Sequence, residues 1–248
     1  MNYKLFLLLA ILVVCTSFKA ITKKSILILH FENYVDTKRM QLDTVTYYNS
    51  LHQAFTVSNF KYYISNILLS PTNGKEIVIP NSYYLVNQDE PDTKTVKIDG
   101  IPEGEYKSIQ FTIGVDSLHS CSGAQSGALD PVHGMFWAWN TGYIFIKLEG
   151  KAPESKSSGH IYEYHIGGYR VPNNCIRKVS LSLAKNPVMI SSLNSPSIYI
   201  KTDANEILKT PTTVDFSTLS SVTDFHHATT MADNYKDMFS IIKVGYEK

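Results

Sequence analysis

No HExxH or CxxC pair, no phosphate loop, no dinucleotide fingerprint and no strand-to-helix nucleophile elbow occurs in the 248 residues. Their absence removes the common signatures of zinc hydrolases, nucleotide enzymes and nicotinamide oxidoreductases, and no activity of an enzyme is expected. An excess of one charge is missing as well. Lys and Arg number 23 against 22 Asp and Glu, a net charge of +1, and the lysines form no stripe, so nucleic acid is not an expected partner. Beyond the first twenty residues there is no long apolar run, and an integral membrane protein is not expected. Helix-period apolar patterns never exceed three turns, which argues against a bundle.

The apolar run that does exist spans Leu5 to Val14, with Lys4 before it and Cys15, Thr16 and Ser17 after it. Ten apolar residues are short for a bilayer span, so residues 1–20 read as an export signal and 21–248 as the mature domain, periplasmic or at the cell surface. Cys15 leaves a lipid anchor open, although Val14 is larger than the residue that such processing favours. Of three cysteines, Cys121 and Cys175 then remain in an oxidising compartment, where a bridge between them is the natural reading. Unstrained, it would stabilise the fold by roughly 4 kcal/mol. Two separate buried thiols and a thiolate metal site are the alternatives.

What is abundant is short β-prone segments between Gly, Pro, Asn and Asp: Ser25 to Phe31, Ala54 to Leu69, Glu76 to Ile79, Tyr83 to Val86, Lys94 to Ile98, Ser108 to Val115, Gly142 to Glu149, His160 to Ile166, Arg177 to Leu183 and Ser197 to Thr202. This spacing predicts an all-β fold, a single antiparallel β-sandwich with long loops and one or two short helical turns. The turns are expected near Ser122 to Leu129 and within Thr229 to Phe239. Pro71 to Gly74 reads as a hairpin turn and Ile101 to Tyr106 as a turn into the next strand. Lys151 to Gly159, small and polar, is the expected mobile loop. The tyrosine pairs Tyr62–Tyr63 and Tyr83–Tyr84 should send one ring inward and one outward.

Both tryptophans, Trp137 and Trp139, fall in the stretch GALDPVHGMFWAWNTGYIFIKLEG from Gly127 to Gly150. On an extended segment their shared parity puts both indoles on one face. Eight histidines carry no short-spacing ligand signature, so any metal site must be assembled from distant segments. His165 ends an aromatic strand with Gly167 and Gly168 leaving room beside it. His133 lies four residues before Trp137, His30 ends an apolar strand, and either of His226 and His227 could join His165 if the fold brings that segment close. Each has a plainer role at a turn or strand end. Asp116 and Asp130 read as turn caps, and Asp233 and Asn234 as a helix N-cap.

The same stretch, with GVDS at Gly114 to Ser117, FKYYISNI at Phe60 to Ile67, YHIGG at Tyr164 to Gly168 and ADNYKDMF at Ala232 to Phe239, resembles the MbnP-like family of extracytoplasmic copper-binding proteins. Five motifs in order cover nearly the whole mature chain. The resemblance implies copper as cargo, for acquisition or storage, and matches His165 to the family's motif histidine. At His133 the family often has a small polar residue. In some members a partner dihaem enzyme oxidises a tryptophan to kynurenine, which joins the copper site; Trp137 and Trp139 are the candidates. Imidazole suits copper, and Met135, Met231 and Met238 offer thioethers, though such methionines are more often core filler. The competing expectation is an extracytoplasmic structural or surface-interaction sandwich without a metal.

Overall fold

The computed structural model describes residues 25–137, 139, 142–225 and 227–247. The expected export signal, Cys15 and His226 lie outside the described residues. Ten longer strands are present: β1 (Ser25–Val35), β2 (Ala54–Pro71), β3 (Tyr83–Asn87), β4 (Thr95–Ile101), β5 (Gly104–Ile113), β6 (Gly142–Lys151), β7 (Ile161–Gly167), β8 (Arg177–Ser182), β9 (Ser195–Asp203) and β10 (Phe239–Glu247). Two short helices, α1 (Ser117–Cys121) and α2 (Ala228–Tyr235), sit between them.

The strands form two packed sheets, the sandwich that the punctuation of the sequence predicts. In the smaller, β10, β9 and β1 lie side by side, and β4 shares the far edge of β1 with a short strand at Lys38–Arg39. The larger runs β8, β5, β2, β6, β7, with β3 also paired to the long central β2. The β1–β9 pairing is parallel, which distance in sequence permits, and the rest of the main ladders are antiparallel. The turn after Ile101 carries the chain from the smaller sheet to the larger, and Tyr106 donates to Pro102 O across it at 2.7 Å.

Apolar alternation fills the space between the sheets. Phe31 and Phe239 from the smaller sheet meet Tyr62 and Phe111 from the larger edge to face, with centroids 5.0 to 6.3 Å apart. Such pairs add about 0.5–1.5 kcal/mol each beyond their buried area. The Tyr62 hydroxyl keeps its bonds there, donating to Asn33 Oδ1 at 2.9 Å and lying 2.8 Å from Thr202 Oγ1. Tyr63 turns to the opposite face, as parity requires, yet it is equally buried. The chain between α1 and residue 134 covers that face: Tyr63 meets Tyr143 edge to face at 5.7 Å and donates to Ala128 O at 3.0 Å.

Several expectations are corrected. Cys121 and Cys175 are free thiols, not a bridge. Cys121 is exposed at the end of α1. Cys175 is buried, its N–H donating to Gly168 O at 2.8 Å and its carbonyl accepting from the Tyr235 hydroxyl, and burial pushes its thiol up to about 12. A thiol reagent should label Cys121 quickly in the folded protein and Cys175 only on unfolding; a bridged peptide in a non-reducing digest would contradict this assignment.

Asp233 and Asn234 are not the N-cap of α2, because the helix begins five residues before Asp233 and His227, at φ 66°, occupies the cap position. Asp233 instead takes Arg177 at 2.8 Å, and buried Asn234 bonds Ile207 O, Thr212 O and Thr212 N. Within Lys151 to Gly159, the loop expected to be mobile, Ser155 N–H donates to Ala152 O at 2.9 Å and its hydroxyl to Ile161 O at 2.6 Å. The helical turn expected within Thr229 to Phe239 is present as α2, and the chain enters β10 at Phe239, an edge strand whose alternation is too weak to read.

Candidate functional site

The Trp segment is fixed from both ends. Asp130 caps its first turn by accepting from Val132 N at 2.9 Å, and Gly134, at φ 68°, reverses the chain. Two lysines rising from neighbouring strands hold that reversal down on the outer face of the larger sheet. Lys61 of β2 donates to His133 O at 3.3 Å and Lys147 of β6 to Gly134 O at 2.7 Å. Ile144 N then donates to Met135 O at 2.9 Å, and Phe136–Trp137 pair with Tyr143 and Gly142 at the start of β6.

Trp137 is buried because β7 ends at Gly167, with Gly168 directly after it. A Cβ on Gly167 would stand 2.8 Å from the indole and 2.4 Å from Tyr143 O. A Cβ on Gly168, where φ is 125°, would strike Asn173 O at 2.2 Å and press on Phe225. The room expected beside His165 is therefore taken by two aromatic rings: Trp137 lies on Gly167, and Phe225 meets it edge to face at 5.8 Å. Trp139 is 67% exposed, its ring 5.7 Å from that of Trp137. An open cleft of about 480 Å³ runs past it, walled by Cys121, Tyr169, Arg170, Asn173 and Phe225.

Of the five histidines singled out by sequence, His226 lies outside the described residues, and His165, His133 and His227 sit on the segments that lead to this indole pair. His165 shares the outer face of β7 with Gly167, two residues along, so it is the next side chain on the face that Trp137 covers. His133 heads the turn pinned by Lys61 and Lys147. His227 follows Phe225 by two residues and is exposed. His30 is elsewhere, on the smaller sheet, with Nδ1 3.2 Å from Thr95 Oγ1 and its ring stacked 4.5 Å from Tyr199.

Two of these rings are engaged within the protein. His133 Nε2 lies 3.0 Å from Gly127 O and His165 Nε2 lies 2.5 Å from Glu149 Oε1. No group of three His, Cys, Asp or Glu is placed to hold a metal among the described residues. The described donors thus form no closed ligand set.

The His165 hydrogen bond, with Asn59 and Lys147 adding to it against burial, holds the Glu149 carboxyl at about 2, below its ordinary 4.5. A depressed carboxylate stabilises the fold at pH values above its unfolded pKa and loses that contribution as pH falls through the folded one. Glu149→Gln should therefore cost about 2 kcal/mol at pH 7 after allowance for solvent screening, with the gap to the parent closing between pH 4.5 and 2. Chemical denaturation at pH 7 and pH 2.5 checks it; a pH-independent gap would refute the charge assignment.

A second cluster, marked in the sequence only by the cap at Asp116, gathers Asp116, His119 and Tyr83. Asp116 caps α1 by accepting from His119 N at 3.0 Å, and His119 Nδ1 lies 3.1 Å from Asp116 Oδ1 and 2.8 Å from the Tyr83 hydroxyl. Burial raises the Asp116 carboxyl, but bonds from Tyr83, His119 and Asn66 outweigh it and hold it at about 2. The i, i+3 spacing of Asp116 and His119 was the signal available. Phe225, Tyr169 and Arg170 gave none, since nothing local marks them as neighbours of the tryptophans.

The molecule is thus a two-sheet all-β sandwich with a pinned tryptophan pair on its outer face. The chain belongs to the MbnP family, whose model, described as MbnP, matches residues 24–227. In shape it is similar to MbnP from Methylosinus trichosporium, with a TM-score of 0.58 and 15% sequence identity over 92% of this chain and 100% of that one. That likeness bears on the fold. No curated protein matches. Among the described residues, no helix is long and apolar enough to cross a membrane.

Proposed function

We propose that the chain is an exported copper-binding protein, for acquisition or storage, whose cargo ion is held on the outer face of the larger sheet beside the Trp pair. The observation that carries this reading is the seating of Trp137 on Gly167, on the strand face that also carries His165, with His133 four residues before Trp137 and His227 two residues after Phe225. Family membership and the Leu5 to Val14 export segment support it. Copper favours imidazole and, when reduced, soft sulfur, and the exposed Cys121 thiol on the adjoining cleft adds one such donor.

Trp139 is the indole open to a dihaem oxidising partner, whereas Trp137 is closed off by Gly167 and Phe225. Kynurenine at Trp139 would add about 4 Da to its peptide, a covalent change that fragmentation localises. Copper content after export into a periplasm tests the main reading. About one copper per chain is expected, falling at least fivefold in His165→Ala combined with His133→Ala and unchanged in His30→Ala. A parent protein free of copper would leave the competing reading, a surface-interaction sandwich, which the lack of a closed described ligand set favours.

A further inference from the structure

The edge of β1 opposite β9 is broken. β4 pairs with it from Ser25 to His30, the short strand at Lys38–Arg39 takes Tyr34 and Val35, and Met40 N donates to Asn33 O at 2.8 Å, so the ladder breaks at Phe31 and Glu32. A cleft of about 270 Å³ opens at the break, with Arg39, Lys94, Glu32, His30 and Tyr199 among its walls. Its polar frame is fixed: Asn33 Nδ2 donates to Gln88 Oε1 at 3.0 Å, and Gln88 Nε2 donates to Met40 O at 2.9 Å.

Charge within the cleft is unbalanced. Glu32, the one carboxylate among the lining residues, is bonded to Arg39 at 2.6 Å. Lys94 is half-buried, and its ammonium reaches the Gln88 carbonyl at 3.4 Å. Burial and the neighbouring Arg39 together hold the Lys94 pKa below that of an ordinary lysine. A further cation stands at the rim, where Lys243 lies over the Tyr199 ring at 4.3 Å. An ammonium that faces a guanidinium across a cleft, with an uncharged carbonyl at the long end of its reach, is in the arrangement that a bound oxyanion relieves.

We propose that this cleft binds a small oxyanion, a carboxylate or phosphate group, bridged between the Lys94 ammonium and the Arg39 guanidinium. The site lies on the smaller sheet, away from the Trp pair, so it stands independently of the copper reading. The same cationic walls oppose a copper ion at His30, the remaining histidine proposed from sequence as a metal ligand.

Calorimetric titration of the whole protein with inorganic phosphate, and separately with acetate, tests the proposal at low ionic strength. Saturable one-site binding of at least one anion is expected, weakened about tenfold or more in Lys94→Met and in Arg39→Gln and unchanged in Lys178→Met on β8. Arg39 is largely exposed, so Arg39→Gln decides the matter if Lys94→Met fails to fold. The preferred probe tells phosphate from carboxylate recognition. Absence of saturable binding by both anions, or equal binding by Arg39→Gln and the parent, would overturn it.

Discussion

Trp137→Ala should lower the unfolding free energy by about 4 kcal/mol, the range for emptying a buried aromatic site whose walls cannot collapse. The walls here are Gly167, with no side chain to fill space, and Phe225, whose own edge-to-face contact goes with the indole. Trp139→Ala, at an exposed ring, should cost well under 1 kcal/mol. Urea unfolding of the two variants measures the contrast. Equal costs would mean that Trp137 does not anchor the segment.

Gly167→Ala should cost about 3 kcal/mol or more by the opposite mechanism. A methyl group there would meet a backbone oxygen, Tyr143 O, at 2.4 Å as well as the indole, so the β6–β7 pairing must yield along with the ring. In the Trp137→Ala background the ring clash is gone and the backbone clash remains. The double variant should therefore be less damaged than the sum of the singles by about 1 kcal/mol. Additivity would show that glycine and indole do not touch.

The sandwich was legible because its strands alternate and its turns carry Gly, Pro and Asn, chemistry that acts over a few residues. Parity placed Tyr62 and Tyr63 on opposite faces but could not reveal that a loop from α1 to Gly134 buries the outward one. The bridge between Cys121 and Cys175 failed for a related reason: compartment and count suggested it, whereas Tyr235 fixes the backbone of Cys175 in the core and Cys121 ends an exposed helix. The Trp segment stood out locally, and so did the paired glycines after His165. That the glycines exist to seat Trp137 and Phe225 is a tertiary fact. Nothing in the run from Phe225 to Met231 points to residue 137, and Lys61 and Lys147 read as ordinary surface charges until the carbonyls of His133 and Gly134 come to rest on them.

Tryptophan fluorescence during titration with Cu(II) decides whether cargo copper sits among histidines beside the indole pair. Strong quenching complete near one equivalent is expected, abolished in His133→Ala combined with His165→Ala and retained in His30→Ala. Emission that is indifferent to one equivalent of copper, or quenching that survives loss of both histidines and disappears with His30, would contradict it.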